Sequence, residues 1–216
     1  MAPHGSYSSC EQYRNNVNEA RQSIINSGEA DVAITYVASW HTHRGFIKAL
    51  ANQIDLAILA LPNNLQQTSQ IVFTAHSIPV SMANNCRYED QLRESCDRVA
   101  QTLNHPNWSL VYQSRSGNPA DPWLGPDVVD HLRDQHASGL KAAVLCPIGF
   151  VVDHIEVLYD LDLEAAKVCE QIGLPVVRAA AVNDEALFLD MMTEVVTDTV
   201  NRYARTTPLP LTRPPK

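Results

Sequence analysis

The sequence predicts an α/β fold in which a parallel sheet is flanked by helices. Short apolar runs rich in β-forming residues alternate along the chain with segments of helical periodicity, which is the pattern of successive strand–helix units. The strand-like runs are continuously apolar, as expected for strands that are covered on both faces of the sheet. The predicted strands are 32–38, 71–75, 110–113, 142–146 and 175–179.

Helices are predicted between these runs from apolar spacing and from residues that stop a helix. The segment 11–27 ends at Gly28, and the segment 45–61 ends at Pro62. In the segment 88–103, apolar residues recur every three or four positions, as on the buried face of a helix. Because ligands of open parallel sheets bind beyond the carboxyl ends of the strands, we expect functional residues directly after the strands.

The length of 216 residues is sufficient for one full-sized hydrophobic core without disulfide or metal support. We assign residues 1–205 to one α/β domain. The segment 206–216 is rich in proline and cannot continue a helix, so it is predicted to form a loose tail.

Charge and hydropathy exclude several classes of partner. The chain has 24 acidic and 16 basic side chains, and its net charge of −8 disfavours contact with nucleic-acid phosphates and anionic lipids. No apolar stretch approaches the roughly 20 residues that span a bilayer, and residues 1–10 lack the features of a secretory signal. We therefore expect no nucleic-acid partner, no integral membrane segment and a cytoplasmic location.

The cysteines are irregularly spaced, which favours reduced thiols over a disulfide framework. They are Cys10, Cys86, Cys96, Cys146 and Cys169. Because the sequence holds no C-x-x-C pair, no iron–sulfur cluster is expected.

His76 is the first candidate for a functional side chain. It directly follows an apolar strand, and its imidazole could accept a proton or bind a metal near neutral pH. The alternative is a structural histidine, hydrogen-bonded in a turn that Pro79 shapes. Several other histidines have no partner at a suggestive spacing and are expected at the surface: His41, His43, His105, His131 and His136.

Acidic residues after the strand at 142–146 form the second candidate. Glu156, Asp160 and Glu164 recur at four-residue spacing, which would place three carboxylates on one face of a helix. Divalent cations such as Fe²⁺ would relieve their repulsion. The alternative is a capping box between Asp153 and Glu156 at the helix start.

The third candidate is a loop rich in proline and glycine that holds Trp123. The indole of Trp123 offers a flat face to a planar ligand. An indole that merely plugs the loop onto the sheet is an equally good interpretation.

Three segments together resemble the ferrochelatase family in order and spacing. They read F-T-A-H-S-I-P at 73–79, Q-S and then P-W-L-G-P within 113–126, and P-I-G-F-V-x-D-H-I-E-V-L-Y-D-x-D-x-E at 147–164. The insertion at 118–121 and Val157 are similar to the Gram-positive branch, which metallates coproporphyrin III. The resemblance implies a Rossmann-like chelatase half that inserts Fe²⁺, as substrate, into coproporphyrin III or protoporphyrin IX in heme biosynthesis.

By this resemblance, His76 and Glu156 flank the centre of the porphyrin and serve as the catalytic pair and as metal ligands. An imidazole opposite a carboxylate supplies both a ligand and a base for the pyrrole protons. Asp160 and Glu164 would continue outward as a secondary divalent-cation site. The porphyrin contacts implied by the resemblance are Tyr13, Ser114 and Trp123.

Family members carry a further domain at their amino end, which this sequence does not include. The resemblance therefore also implies a partner, either the missing amino-terminal half or a second copy of the chain. The alternative to an active ferrochelatase is a remnant that binds metal or porphyrin without catalysis, or a complementing subunit. A cobalt chelatase of the same architecture is disfavoured by the Q-S and P-W-L-G-P elements.

Overall fold

Parallel strands form a four-stranded sheet in the computed structural model, which describes residues 2–117 and 120–205. The strand order is β2-β1-β3-β4, with β1 at Gln70–His76, β2 at Trp108–Gln113, β3 at Ala143–Cys146 and β4 at Val176–Arg178. All three neighbouring pairs are parallel, so the α/β prediction is confirmed. The predicted tail, 206–216, lies outside the described residues.

Helices alternate with the strands, and the predicted segments 11–27, 45–61 and 88–103 correspond to α1, α2 and α5. The α-helices are α1 (Gln12–Asn26), α2 (Arg44–Ala60), α3 (Asn63–Gln66), α4 (Val80–Ala83), α5 (Tyr88–Leu103), α6 (Val128–Ala137), α7 (Ile155–Val157), α8 (Ala166–Ile172) and α9 (Ala186–Arg205), and π-helical turns cover Tyr7–Glu11 and Leu158–Ala165. Within the described part of the chain, no helix combines the length and apolar character needed to cross a membrane.

The central strand β1 is buried on both faces because successive side chains point into different cores. Ile71 and Phe73 belong to one buried cluster with Phe46 of α2 and Leu92 of α5. Val72, on the opposite face, belongs to a second cluster formed with α6, the π-helix 158–165 and α8. This double coverage explains the continuously apolar sequence of the strand and holds its carboxyl end in place.

The strand predicted at 32–38 is wrong. These residues join no strand or helix, and most of their side chains are exposed. A strand needs a neighbour for its backbone hydrogen bonds, and β-forming residues alone do not create one.

The helix α1 contacts the segment that follows it rather than the core, and none of its residues is buried. Arg21 forms a bidentate ion pair with Asp31, with distances of 2.5 and 3.0 Å. Arg14 lies over the ring of Tyr36 at 5.1 Å from its centroid. The helix and the segment after it therefore form a unit that projects from the domain.

The surface location expected for His41 is also wrong. Its ring is buried, with Nδ1 at 2.7 Å from the Ser39 hydroxyl and Nε2 at 2.8 Å from a Glu94 carboxylate oxygen. Both ring nitrogens thus have hydrogen-bond partners, which compensate the imidazole for the water it loses on burial.

Candidate functional site

His76 is the last residue of β1 and lies at the carboxyl edge of the sheet. Its Nδ1 donates to the carbonyl oxygen of Ser77 at 2.5 Å, and its own carbonyl accepts a hydrogen bond of 3.0 Å from the Tyr88 hydroxyl. Burial raises the pKa of Tyr88, so this hydroxyl remains a donor at neutral pH. The ring of His76 is therefore fixed with Nε2 directed away from Ser77.

The carboxylate of Glu156 faces this second ring nitrogen. Glu156 Oε1 lies 3.1 Å from His76 Nε2, and the two side chains are 39% and 36% exposed. Because Nδ1 donates to Ser77, Nε2 of a neutral ring offers only a lone pair. Two acceptors at this distance need a proton or a cation between them, so the pair is arranged to hold one or the other.

Glu156 is positioned by α7, the first turn of a helical stretch that continues through the π-helix into α8. The N-cap of α7 is His154, whose Nδ1 accepts a hydrogen bond of 3.2 Å from the backbone nitrogen of Glu156. The proposed capping box is wrong, because Asp153 turns away and accepts hydrogen bonds from Ala181 N at 3.2 Å and Arg178 Nη1 at 2.8 Å. His154 thus contributes a helix cap rather than a third group at the pair.

The carboxylates at 156, 160 and 164 do not line up in equivalent surroundings along one helix face. After α7 the chain continues as a π-helix, whose wider turn alters the spacing of side chains. Asp160 Oδ2 accepts hydrogen bonds from the Ser114 hydroxyl and, at 3.2 Å, from Gln113 Nε2. Glu164 is exposed.

A secondary cation site at Asp160 and Glu164 stays a prediction. Over residues 2–117 and 120–205, no group of three or more His, Cys, Asp or Glu side chains is arranged to hold a metal ion. A cation between His76 and Glu156 would thus have two protein ligands, and its further ligands would come from water or substrate.

The loop of Trp123 is fastened to the chain that follows His76. Trp123 forms an isolated antiparallel bridge with Pro79, Leu124 N donates to Ile78 O at 3.0 Å, and the Ser77 hydroxyl donates to Leu124 O at 2.7 Å. The indole is half-buried, and its Nε1 has no hydrogen-bond partner among the described residues. The loop is thus held beside the end of β1, and the indole N–H of Trp123 is left without an acceptor among the described residues.

Tyr13 is not brought to the pair. It lies on α1 with 66% of its surface exposed. Among the described residues, no hydrogen bond, ion pair or ring contact joins Tyr13 to His76, Glu156 or Trp123. Its assignment as a porphyrin contact stays a prediction.

Gly149 allows the loop after β3 to approach β1 closely. A Cβ at this position would lie 2.8 Å from the Ala75 Cβ and 2.9 Å from the Ala75 Cα. Its backbone nitrogen donates to Thr74 O at 3.1 Å. The loop that leads to Glu156 therefore packs directly against the residue that precedes His76.

Most of this chain matches a known protein family. The family model described as Ferrochelatase matches residues 1–200. The chain belongs to the ferrochelatase family. The Ferrochelatase of Rhodopirellula baltica is 43% identical over 197 residues, which cover 91% of this chain and 55% of that protein. The Coproporphyrin III ferrochelatase of Streptomyces coelicolor is 37% identical over 209 residues, which cover 89% of this chain and 56% of that protein.

The chain spans about half the length of the curated relatives it matches, 55% and 56% for the two above. A solved structure from Deinococcus radiodurans, described as a multi-domain protein with structural similarity to chelatases, covers 70% of the chain with a TM-score of 0.47 and 14% identity, while the match covers 28% of that protein. That similarity is too low to support an argument about function.

The roles of several residues that position the candidate site were missed from sequence. Tyr88 and Gln113 act through single hydrogen bonds to His76 O and Asp160, which no spacing rule reveals. Arg178 and Asn183 reach Asp153 from the end of β4 and the loop after it. The one available signal was that Gln113, Arg178 and Asn183 lie at or near the carboxyl ends of predicted strands.

Proposed function

We propose that this chain carries the metal-inserting site of a ferrochelatase, which replaces two pyrrole protons of coproporphyrin III by Fe²⁺ in heme biosynthesis. The pair His76–Glu156, with 3.1 Å between Nε2 and Oε1, carries the proposal. The choice of porphyrin follows relatives that are named for coproporphyrin III. Protoporphyrin IX is the alternative substrate.

Insertion requires two bases and a cation ligand at one place, and the pair provides them. The imidazole nitrogen and the carboxylate can each accept one pyrrole proton, or together hold the ferrous ion before transfer. A proton shared by the pair has to leave before the metal enters. Trp123, on a loop pinned beside the strand end, would contact the macrocycle, and Ser114 would line the cleft together with Asp160.

The proposed location is the cytoplasm, where thiols remain reduced. All five cysteines are free thiols, and three of them, Cys96, Cys146 and Cys169, are buried. Burial raises the pKa of the Cys169 thiol to about 11, which keeps it protonated and unreactive at neutral pH.

The test is metallation by the purified chain. Coproporphyrin III is mixed with Fe²⁺ under anaerobic conditions, or with Zn²⁺, and formation of the metalloporphyrin is followed by absorbance. We expect His76→Ala and Glu156→Gln to abolish insertion because each removes one base and one ligand. His136→Ala is the matched control, since His136 lies in the last turn of α6, where its ring bonds the carbonyl of Leu140 at 3.1 Å. Wild-type rates in His76→Ala would refute the assignment.

A second candidate function is that of a complementing half that needs further polypeptide for turnover. The projecting helix α1, the unpaired segment 29–39 and the exposed Tyr13 support it, because β-forming residues and an aromatic ring are left without a partner in the described residues. In this case the chain binds porphyrin or metal stoichiometrically without turnover. Addition of a separately expressed amino-terminal half from the Streptomyces coelicolor relative would restore turnover.

In a homo-oligomer, a second copy of the chain would instead cover the surface formed by α1 and the segment 29–39. Light scattering after size exclusion distinguishes the two: a concentration-dependent dimer favours self-pairing, whereas a monomer that forms a 1:1 complex with the added half favours complementation.

A further inference from the structure

Arg178 joins two carboxylates that lie on either side of Glu156 in the sequence. Its Nη1 contacts Asp153 Oδ1 at 2.8 Å, and its Nε and Nη2 contact the two oxygens of Asp162 at 2.6 and 3.0 Å. A further hydrogen bond of 3.1 Å connects Nη1 with the carbonyl of Ala179. Only 16% of the Arg178 side chain is exposed, so these contacts form where solvent competes little.

The two carboxylates bracket the part of the chain that bears the candidate acidic residues. Asp153 lies just before α7, which holds Glu156, and Asp162 lies in the π-helix 158–165, which holds Asp160. One guanidinium at the end of β4 therefore fastens both flanks of this segment to the sheet.

Asn183 completes the attachment at the first flank. Its side chain accepts a hydrogen bond of 2.9 Å from Asp153 N and donates one of 2.9 Å to Asp153 Oδ2, while its backbone nitrogen donates to Val151 O at 2.9 Å. Its φ of 46° places it in the left-handed region, where asparagine is favoured among residues other than glycine.

Glu156 lies in the first turn of a continuous helical stretch, 155–172, formed by α7, the π-helix and α8. Because helix ends fray, the position of a side chain in the first turn depends on contacts from outside the helix. Although burial disfavours the charged form of Arg178, hydrogen bonds to Asp162 and the charge of Asp153 raise its pKa above the ordinary value. The Arg178 guanidinium thus stays ionised at any pH at which the carboxylates of Asp153 and Asp162 are charged.

We propose that Arg178 is a positioning residue for metal insertion, which holds Glu156 opposite His76 by fixing the chain on both sides of it. Arg178 touches neither the pair nor a metal, and it acts through Asp153 and Asp162. This inference rests on the proposed function, because it assigns Arg178 to the same metal site.

The experiment measures binding of Zn²⁺ to the full 216-residue chain by competition with a chromophoric chelator. Arg178→Met keeps much of the side-chain volume but removes the charge, and we expect about tenfold weaker binding, the order of loss seen when outer groups that orient a metal ligand are removed. Arg178→Lys should recover part of the affinity, since an ammonium pairs with one carboxylate but not bidentately. Arg93→Met is the matched control, because it removes an arginine–carboxylate pair on α5 and should leave affinity unchanged.

A double-mutant cycle separates positioning from general destabilisation. If Arg178 acts through Glu156, Arg178→Met should weaken binding less than twofold in a Glu156→Gln background. A full tenfold loss in that background would overturn the inference. Thermal unfolding of each variant shows whether it folds. If Arg178→Met does not fold, Asp162→Asn takes its place in the same cycle, because it removes the bidentate contact.

The failure of the inference and that of the proposed function give different results. Equal Zn²⁺ affinity in wild type and His76→Ala would refute the metal site and with it the inference. A loss of affinity in His76→Ala, together with wild-type affinity in Arg178→Met, would overturn the role of Arg178 alone.

Discussion

Single residues that are not candidate metal ligands determine the geometry around His76. The Ser77 carbonyl selects which ring nitrogen carries the proton, and the Tyr88 hydroxyl anchors the backbone at the strand end. Removal of the Tyr88 hydroxyl would loosen the backbone of His76, and with it the direction of Nε2, without removing a ligand. The same reasoning applies to Gly149, which permits contact between two loops.

Replacement of Gly149 by alanine should be destabilising. The added Cβ would lie 2.8 Å from the Ala75 Cβ and 2.9 Å from a backbone atom, so the β3 loop must move away from β1. We expect a loss of about 1–3 kcal/mol in the free energy of unfolding, measured by urea denaturation. Gly5→Ala is the control, since its nearest atoms would lie at an ordinary 3.5 Å. Equal midpoints for the two variants would contradict the prediction.

The predicted role of Asp160 and Glu164 can be tested by their joint replacement with alanine. If they supply the cation, the metal concentration for half-maximal insertion should rise several-fold while the maximal rate is retained. Ser114→Ala serves as the control, because it removes the Asp160 hydrogen bond but leaves both carboxylates. An unchanged dependence on metal concentration would show that the two carboxylates do not feed the site.

At the level of elements, the unpaired segment and β1 should differ sharply in amide exchange. Within the described residues, no backbone–backbone hydrogen bond involves an amide of 33–38, whereas β1 is bonded on both sides. We expect exchange within seconds for 33–38 and strong protection in β1, measured by mass spectrometry. Protection of 33–38 should appear when a complementing half is added, and protection in the isolated chain would indicate self-pairing instead.

The elements also show how far sequence reasoning extends. Strands β1 and β3 were predictable because both of their faces are buried, which leaves a continuous apolar run, whereas the edge strands β2 and β4 are buried only in part. The segment 32–38 has the same composition, but pairing depends on a partner that composition does not report. The pair His76–Glu156 was indicated by its motifs, whereas the π-helix and the Arg178 contacts depend on tertiary packing.

For the whole molecule, burial of His4 couples stability to pH. His4 is 1% exposed and its Nε2 lies 3.0 Å from the Ser95 hydroxyl of α5. Burial, and secondarily the nearby His41, lowers its pKa from 6.5 to about 3. The unfolded chain therefore binds a proton near pH 6.5 that the folded chain refuses until about pH 3, so stability falls as the pH falls through this window.

This coupling predicts a difference in pH dependence between wild type and His4→Gln. Between pH 7.5 and 5.5, wild type should lose about 1 kcal/mol more unfolding free energy than the variant, because only wild type has this group to protonate on unfolding. Urea denaturation at both pH values measures the difference. Because the comparison uses the change with pH, any constant cost of the substitution cancels. Identical changes with pH would contradict the burial of a neutral His4.

The unpaired segment also has a consequence for solubility. Residues 32–38 read V-A-I-T-Y-V-A and contain no charge, proline or glycine, which is the composition of segments that stack into cross-β assemblies. Asp31 flanks the run, but its charge is already engaged by Arg21. Concentrated preparations of this chain are thus exposed to edge-to-edge aggregation, and a single lysine at an exposed position such as Val37 would act as a gatekeeper without touching the metal site.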